Sequence, residues 1–440
     1  MRSLLWMPLL LALLFAATLT PAAPVGAAHT PTSAPPATAA HTPAPILVGA
    51  VYPLSGPQGA GGQDELGGVQ TALALVNADG GISGRPVRLA VKDAPTPAAG
   101  VAAVDSLVLQ DHVPVILGSY SSVVAVAASA EANRLHTIWW ETGAVADAVT
   151  AHQLPDVFRT VAAGSNLGRT SAQFTLDTLL PAWRIAPERA RIALVYEDDS
   201  YGSSVAAGAA AEAAAAGLPV VARIAYNVAN VDPTAIARQI GAARPDVLWD
   251  ASYLNDGIAI WRAIAASGVA LKGAVGTSSA FCMPAFGQAL GPLATGLFAS
   301  DKADASVNPA ALTPATRAVL ARATAWYAAR HHGGMDLSAI AGFVGAWALL
   351  HDVAPQAGAW DAAGIRAAAL AVNLPNGSEV NGAGLRFAPS TAPDAGQNVR
   401  AANVVWQWQP QGQVVVYPQP YATTPPLLIG VPQRTARAER

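Results

Sequence analysis

The sequence predicts an α/β protein with two doubly wound lobes, each built on a parallel sheet. From Ile46 onward, short β-branched runs alternate with segments of helical apolar spacing, and this alternation restarts after Phe158. Strands separated by helices of such length form parallel βαβ units. Small polar residues follow several strands in both series, at the sheet edge where open α/β sheets bind ligands.

The first series contains four predicted strands. β-branched and apolar runs place them at Ile46–Tyr52, Val87–Val91, Val113–Leu117 and Thr137–Trp140. Helical spacing predicts helices at Gln63–Asn77, at Ala98–Leu109 and in the Ala/Val-rich segment after Ser122. The Asp79-Gly80-Gly81 segment ends the first helix, because glycine is a common helix terminator.

The second series repeats this order. Its predicted strands are Arg191–Tyr196, Val220–Ile224, Val247–Asp250 and Gly273–Gly276. Its predicted helices are Leu167–Leu180, Ser204–Ala216, Pro233–Ala243 and Gly257–Ser267. The later helices Pro314–His332, Leu337–Val353 and Ala362–Val372 must pack on one or both lobes, and Val404–Tyr417 returns to short strands.

Composition excludes several classes of protein. Charged residues make up 12% of the chain, against about 25% in typical domains, and the sequence has no Lys/Arg stripe. We therefore expect no nucleic-acid partner. The single cysteine, Cys282, excludes an intramolecular disulfide and a Cys-based zinc site. Nucleophile elbows, H-E-x-x-H motifs and Walker loops are absent from the sequence, so we expect no enzyme activity, metal or cofactor.

Residues 1–28 have the pattern of an export signal. Arg2 precedes an apolar run, Leu4–Leu14, that is too short to span a bilayer comfortably, and small residues follow it. These small residues disfavour the alternative, an uncleaved anchor. The run has no cysteine after it and the chain no second long apolar run, so we expect a soluble, non-lipidated periplasmic or extracytoplasmic protein. Residues 29–45, rich in Pro, Ala and Thr, are expected to form a disordered linker or an envelope spacer.

Polar and aromatic side chains at the predicted strand ends define a candidate ligand site. They are Ser55, Ser121, Ser122, Trp140, Glu141 and Thr142 in the first series, and Tyr201, Tyr253 and Ser278 in the second. Ser121 and Ser122 also begin a helix, whose free first-turn N–H groups suit a carboxylate or a similar anion. One such residue alone would be a turn or a cap, but their recurrence in both series favours a cleft between the lobes.

Several segments, in order along the chain, resemble the branched-chain amino acid binding proteins, which are extracytoplasmic solute receptors of ABC importers. The most specific is the N-x-x-G-G-I-x-G block at residues 77–84, and the others are Ser55-Gly56-Pro57, Val157–Thr160, Ala193–Tyr196 and Pro245–Leu248. The resemblance implies a type I periplasmic-binding fold, in which a hinge joins the two lobes. It implies lobes at 46–163 plus about 303–385 and at 164–302 plus about 386–425, with a tail at 426–440.

The resemblance also implies roles for the candidate residues. Positions matching Ser121, Ser122 and Thr142 hold the carboxylate and amino groups of the ligand in that family. Positions matching Tyr201 and Tyr253 lie on the opposite lobe and close over the ligand.

One departure from the family pattern bears on the ligand. The family's amino acid binders carry a glutamate in the loop that here is Gly276-Thr277-Ser278. Since an unpaired buried ammonium is costly, either Glu141 or Asp250 supplies the charge, or the ligand lacks an amine. Ser278 favours an anionic or neutral polar head on the ligand, and the flat Trp140 ring favours an unsaturated or aromatic body.

The resemblance therefore predicts a protein that captures a small polar ligand, an amino acid or a related amide or carboxylate, and delivers it to an ABC importer. Its expected partners are this small-molecule ligand and the permease subunits of the importer, and we expect a monomer. A ligand sensor of the same fold, acting on a signalling partner, is the alternative, and an enzyme is a weaker one.

We predict that the exported protein begins between Pro24 and Thr30 and carries no lipid. The reason is the order of Arg2, a Leu-rich run and small residues, with no cysteine beside it. N-terminal sequencing and the intact mass of the exported protein measure this, and a start at Met1 or an acyl adduct would contradict it.

Overall fold

Two sheets form the centre of the structure, a computed structural model that describes residues 44–331 and 333–430. The predicted export signal, residues 29–43 of the predicted linker and residues 431–440 of the predicted tail lie outside the described residues. Residues 43–440 group as one compact unit, and both sheets lie within it.

The first sheet has five parallel strands in the order β2-β1-β3-β4-β5. These strands are β1 (Ile46–Tyr52), β2 (Val87–Asp93), β3 (Val115–Gly118), β4 (Ile138–Glu141) and β5 (Val157–Arg159). One face is covered by α1 (Gly59–Ala78), α10 (Pro314–Ala328), α11 (Leu337–Trp347) and α12 (Ala362–Ala371). The other face is covered by α2 (Pro97–Leu109) and α3 (Ser122–Arg134). We call this sheet with its helices the first lobe.

The second sheet has seven strands in the order β12-β11-β10-β9-β8-β6-β7, and only the pairs made by β11 are antiparallel. Its strands are β6 (Ile192–Glu197), β7 (Val220–Tyr226), β8 (Val247–Ala251), β9 (Gly273–Thr277), β10 (Phe298–Lys302), β11 (Asn403–Gln409) and β12 (Gly412–Tyr417). Helices α4 (Gly164–Phe174), α5 (Leu180–Trp183) and α6 (Ser200–Ala215) pack on one face. Helices α7 (Pro233–Ala243), α8 (Leu254–Ser267) and α9 (Pro284–Leu290) pack on the other. This is the second lobe.

The predicted α/β class with two parallel-strand lobes is confirmed. Every predicted strand is present within a few residues of its expected bounds, whereas β5, β10 and α9 were not predicted. β5 is only three residues long, and β10 ends in Asp301 and Lys302, which interrupt its apolar run.

One expectation about the chain is wrong. Within the described ranges, the helical stretch Leu337–Gln356 has the length and apolar composition of a membrane span, although no second long apolar run was expected. Its residues Phe343, Val344 and Leu349 pack in the core of the first lobe. Burial inside the protein on all sides explains this composition.

Glycines allow α1 and α11 to approach closely. A Cβ on Gly68 would lie 1.8 Å from the carbonyl oxygen of Ala339, and a Cβ on Gly342 would lie 2.0 Å from that of Glu65. Side chains at either glycine would separate the helices. The close crossing fixes the turn of α1 that carries Glu65.

Arg159 connects two of the places where the chain passes between the lobes. It is fully buried at the end of β5, and its Nε donates to Gln397 Oε1 at 2.6 Å, shortly before the chain enters β11. Its backbone N–H donates to the Gly396 carbonyl at 2.9 Å and its carbonyl accepts from Asn398 N at 2.9 Å. The lobe boundaries given by the resemblance stay a prediction.

Candidate functional site

The carboxyl ends of the parallel strands in the two lobes contact each other. Asp147 N, after β4, donates to Ser204 Oγ in α6 at 3.0 Å. The Tyr120 side chain, after β3, lies near Ser279, after β9, and the Tyr253 side chain, after β8, lies near Gln58, after β1. Val145 of the first lobe packs with the buried ring of Tyr201 of the second lobe. The two edges therefore lie against each other, and most of the predicted site residues lie along this junction, which we call the cleft.

Ser121 and Ser122 lie at the amino end of α3, as the sequence predicts. Ser121 is the N-cap residue, and its hydroxyl has no hydrogen-bond partner among the described residues. Ser122 Oγ accepts a hydrogen bond from Ala146 N at 3.2 Å. Because the first-turn N–H groups of a helix lack partners within it, Ser121 and this helix end can both donate to an acceptor group.

Glu141 organises the first lobe's side of the cleft from within. Its fully buried Oε1 accepts hydrogen bonds from the backbone N–H of Ser119 at 2.8 Å, of Gly143 at 2.9 Å and of Ala144 at 2.7 Å. Its Oε2 accepts from Trp139 Nε1 at 3.0 Å. Burial raises its pKa to about 7, and these hydrogen bonds oppose the rise. Four donors of the protein thus satisfy the Glu141 carboxylate, which the sequence analysis had proposed as a ligand-binding group.

Trp140 lies in the core and not at the edge of the cleft. Its ring packs against Phe158 at 5.7 Å and Phe387 at 5.2 Å, measured between ring centroids, and its Nε1 donates to the Gly345 carbonyl at 2.8 Å. Successive residues of β4 face opposite sides of a sheet that helices cover on both faces, so both tryptophans are buried. Trp140 therefore gives no support to an unsaturated or aromatic ligand.

Ser55 lies outside the cleft. It is exposed, and its hydroxyl donates to Asp93 Oδ2 at 2.6 Å, while Leu54 N donates to Asp93 Oδ1 at 2.8 Å. These bonds join the ends of β1 and β2, so Ser55 stabilises a turn.

Thr142 hydrogen-bonds to the carboxyl group of Glu65, a residue that the sequence analysis did not select. Its Oγ1 donates to Glu65 Oε1 at 2.6 Å and hydrogen-bonds to Tyr52 Oη at 2.7 Å. Glu65 is fully buried, and burial with the nearby charge of Glu141 raises its pKa to about 8, against the opposing effects of Thr142 and Lys302. A single acidic residue on the buried, glycine-rich face of α1 was the available signal.

Tyr201 and Tyr253 come together on the second lobe. Their ring centroids are 5.2 Å apart. The Tyr201 hydroxyl donates to the Ser278 carbonyl and hydrogen-bonds to Thr277 Oγ1 at 2.9 Å. Tyr253 Oη donates to Asp199 Oδ2 at 2.6 Å. The loops after β6, β8 and β9 thus form one connected surface.

Ser278 lies beside the buried ammonium group of Lys302. Lys302 ends β10, and the sequence analysis predicted neither this strand nor a role for its lysine. Lys302 Nζ donates to Ser278 Oγ at 3.2 Å and lies 3.5 Å from Asp301 Oδ1, and Lys302 is 5% exposed. Asp301 Oδ2 also accepts a hydrogen bond from the Cys282 thiol at 2.9 Å. A positive charge therefore lies next to the loop where the family carries a glutamate.

Asp250 lies beneath α8, within the second lobe. It is buried, no described donor contacts either carboxylate oxygen within hydrogen-bond distance, and burial raises its pKa to about 7. The groups that act on its charge, Ser252 and Asp256, belong to the same lobe. Within the described ranges, no three or more His, Cys, Asp or Glu side chains cluster so as to hold a metal ion.

Glu141→Ala is expected to destabilise the protein by at least about 3 kcal/mol, because it leaves Ser119 N, Gly143 N and Trp139 Nε1 buried without an acceptor and each costs about 1–3 kcal/mol. Urea unfolding monitored by circular dichroism measures the change. The matched control is Glu188→Ala, which removes an exposed carboxylate. Equal unfolding midpoints in the two variants would contradict the role given to Glu141.

The ligand-free protein is expected to lose stability as the pH rises from about 5 to about 8. Glu141 and Asp250 have folded-state pKa values of about 7 and Glu65 one of about 8, all above their unfolded values, so the folded state binds more protons in this window. This contribution is complete below the unfolded pKa values and is lost above the folded ones. Urea midpoints across the window should fall, and fall less for Asp250→Asn. A rising wild-type midpoint would show that the sign is wrong.

Comparison with known proteins places this geometry in a family. The sequence profile of the family described as "Periplasmic binding protein" matches residues 45–413. A Leu/Ile/Val-binding protein homolog 8 of Brucella abortus (strain 2308) is 30% identical over 377 residues, which cover 86% of this chain and 91% of that protein.

Solved structures show the same fold. The substrate-binding protein LivJ of Streptococcus pneumoniae, in complex with isoleucine, has a TM-score of 0.68 and 19% identity over 85% of this chain and all of that one. A solute-binding protein of an ABC transporter from R. palustris, in complex with benzoate, has a TM-score of 0.69 and 19% identity over 87% of this chain and 97% of that one.

The expectation of a binding role and not a catalytic one is confirmed, since the family and these neighbours are substrate-binding proteins. Such proteins act outside the cytoplasm. The chain belongs to the periplasmic binding proteins of type I, in the group that resembles the branched-chain amino acid receptors.

Proposed function

We propose that this solute-binding protein captures a small polar ligand between its lobes and delivers it to the permease subunits of an ABC importer. The observation that carries the proposal is the meeting of the strand-end edges of both lobes, where Asp147 N donates to Ser204 Oγ at 3.0 Å and Val145 packs with Tyr201. A ligand that contacts both edges stabilises the closed form, which differs in shape from the open one. An importer can therefore recognise the loaded protein.

The residues proposed to contact the ligand are those that line the two edges of the cleft. Ser121 offers its hydroxyl and the first turn of α3 offers its N–H groups to an acceptor such as a carboxylate. Tyr201, Tyr253 and Ser278 form the opposing wall. Ser122, Glu141 and Thr142 are proposed to hold the first lobe's loops in place, since their hydrogen bonds join segments of that lobe to one another.

The relatives support an organic ligand of small size. One similar protein is described as a homolog of Leu/Ile/Val-binding proteins, and structural neighbours hold isoleucine and benzoate. We propose that the protein works outside the cytoplasm after removal of its export signal, without a lipid and as a monomer. Purified wild-type protein screened by thermal shift against amino acids, amides and carboxylates tests the binding role, because a ligand of the folded state raises its stability.

Ser121→Ala and Tyr201→Ala are each expected to weaken ligand binding at least several-fold while the protein stays folded. Losing a hydrogen bond to a charged ligand group costs about 1.5–3 kcal/mol, roughly tenfold or more in affinity. Isothermal titration calorimetry with the best ligand of the screen measures it. Ser106→Ala, on the surface of α2, is the matched control. Unchanged affinity in both variants would refute the assignment of the cleft.

A further inference from the structure

A cavity of about 210 Å³ lies in the first lobe, away from the cleft. Its walls come from α10, from the helical segment Ala348–Val353 that continues α11, and from the loop after α12. Asp336, the N-cap residue of α11, lies near Lys302 of the second lobe. At a rise of 1.5 Å per residue, His351 on the cavity wall lies roughly 20 Å further along this helix. The cavity and the cleft are therefore separate places.

A π-helical turn carries two polar side chains to the cavity. The turn spans Ala348–Val353 and contains His351 and Asp352, which both line the cavity. π-helical turns are rare and occur frequently at functional sites. The His351 ring stacks on Trp347 with 4.2 Å between the ring centroids, and its Nδ1 hydrogen-bonds to Asp352 Oδ1 at 2.8 Å. Asp352 is thus an oriented carboxylate on the cavity wall.

Glu379 lies beside this wall, and both of its carboxyl oxygens lack a partner. Its neighbours Ser378 and Val380 line the cavity, and its side chain is 1% exposed. No described donor lies within hydrogen-bond distance of its Oε1 or Oε2. Burial and the nearby charge of Asp352 raise the pKa of Glu379 well above its ordinary value. Since a buried carboxyl group without donors is costly, a proton or a bound cation must compensate it.

The charged residues around Glu379 do not supply this cation. Asp352, the charged residue that acts on Glu379, is itself an acid. Arg322, whose charge acts on His351, pairs with Asp79 at 2.7 Å. A proton satisfies one oxygen of Glu379, whereas an ammonium group has three N–H donors. No three His, Cys, Asp or Glu side chains of the described ranges cluster so as to hold a metal ion, so an organic cation fits this place better than a metal.

The rest of the cavity indicates the body of such a ligand. Part of its wall is apolar and consists of Val319, Leu374 and Val380. The Thr316 hydroxyl of α10 donates to the carbonyls of Gly377 at 2.8 Å and Ser378 at 3.2 Å. These bonds fix the loop that carries Glu379 before any ligand arrives. A charged head with a short apolar body matches a cavity of mixed lining with a few placed polar groups.

We propose that this cavity, which we call the second site, binds a small organic ammonium ion with a short apolar body, and that Asp352 and Glu379 accept its N–H groups. The proposal goes beyond the solute-binding function, because the second site belongs to the first lobe alone and does not depend on closure of the cleft.

The first test compares amines with their uncharged analogues by isothermal titration calorimetry. Butylamine and benzylamine, as hydrochlorides, are the probes, and butanol and benzyl alcohol are the analogues. We expect saturable binding of at least one amine and of neither alcohol. Glu379→Gln and Asp352→Asn are each expected to weaken amine binding by about tenfold or more, since each removes a charged acceptor. Glu188→Gln, which removes an exposed carboxylate, and Ser121→Ala in the cleft are the controls and are expected to leave this affinity unchanged.

The second test measures protons in the wild-type protein. Because its pKa is raised, Glu379 holds a proton in the empty site, and binding of an ammonium ion is expected to release it. Binding enthalpies in two amine-free buffers of different ionisation enthalpy reveal the release, which Glu379→Gln is expected to abolish. Circular dichroism checks that both variants fold, and Asp352→Asn keeps the comparison decisive where Glu379→Gln does not fold.

Each outcome decides the second site without touching the solute-binding function. Absence of saturable amine binding, equal affinity for amine and alcohol, or a loss of amine affinity in Ser121→Ala but not in Glu379→Gln overturns the proposal. Stabilisation by calcium chloride that depends on Glu379, without amine binding, overturns the ligand class. Amine binding that is weakened in Glu379→Gln and Asp352→Asn, and in neither control, supports the proposal.

Discussion

The cleft depends on one buried carboxylate that the protein satisfies with its own backbone. Glu141 Oε1 accepts hydrogen bonds from N–H groups of the loops after β3 and β4. Neither loop can therefore move without leaving a donor unpaired in the interior. Ser121 and Gly143, which follow the same two strands, therefore have fixed positions before any ligand arrives. Such preorganisation lowers the entropy that binding must overcome.

The two edges of the cleft differ in electrostatic character. The first lobe presents a hydroxyl and a helix amino end beside Glu65, whereas the second presents Lys302 with its counter-ion Asp301. The carboxyl group of Glu65 and the ammonium group of Lys302 therefore belong to different lobes. A ligand between the lobes can contact groups of both lobes only when the lobes close.

The sequence predicted the architecture well because parallel strands buried on both faces form continuous β-branched runs, as at Ile46–Tyr52. It also placed Ser121 and Tyr201 at strand ends. Trp140 was misplaced because strand alternation does not reveal that helices cover both faces. Lys302 and Glu65 were missed because a charge at a strand end resembles a loop, and an acid within a helix resembles a solvated position. Only tertiary packing shows that both are buried.

The core of the first lobe combines residues 46–158 with residues 319–387, and most of the second lobe lies between them in sequence. During synthesis the first sheet therefore lacks α10, α11 and α12, three of the four helices that cover one of its faces, until most of the chain has been made. Contacts so distant in sequence form slowly. A chain that must pass through a membrane before it folds benefits from such a delay, since translocation competes with the closure of this core.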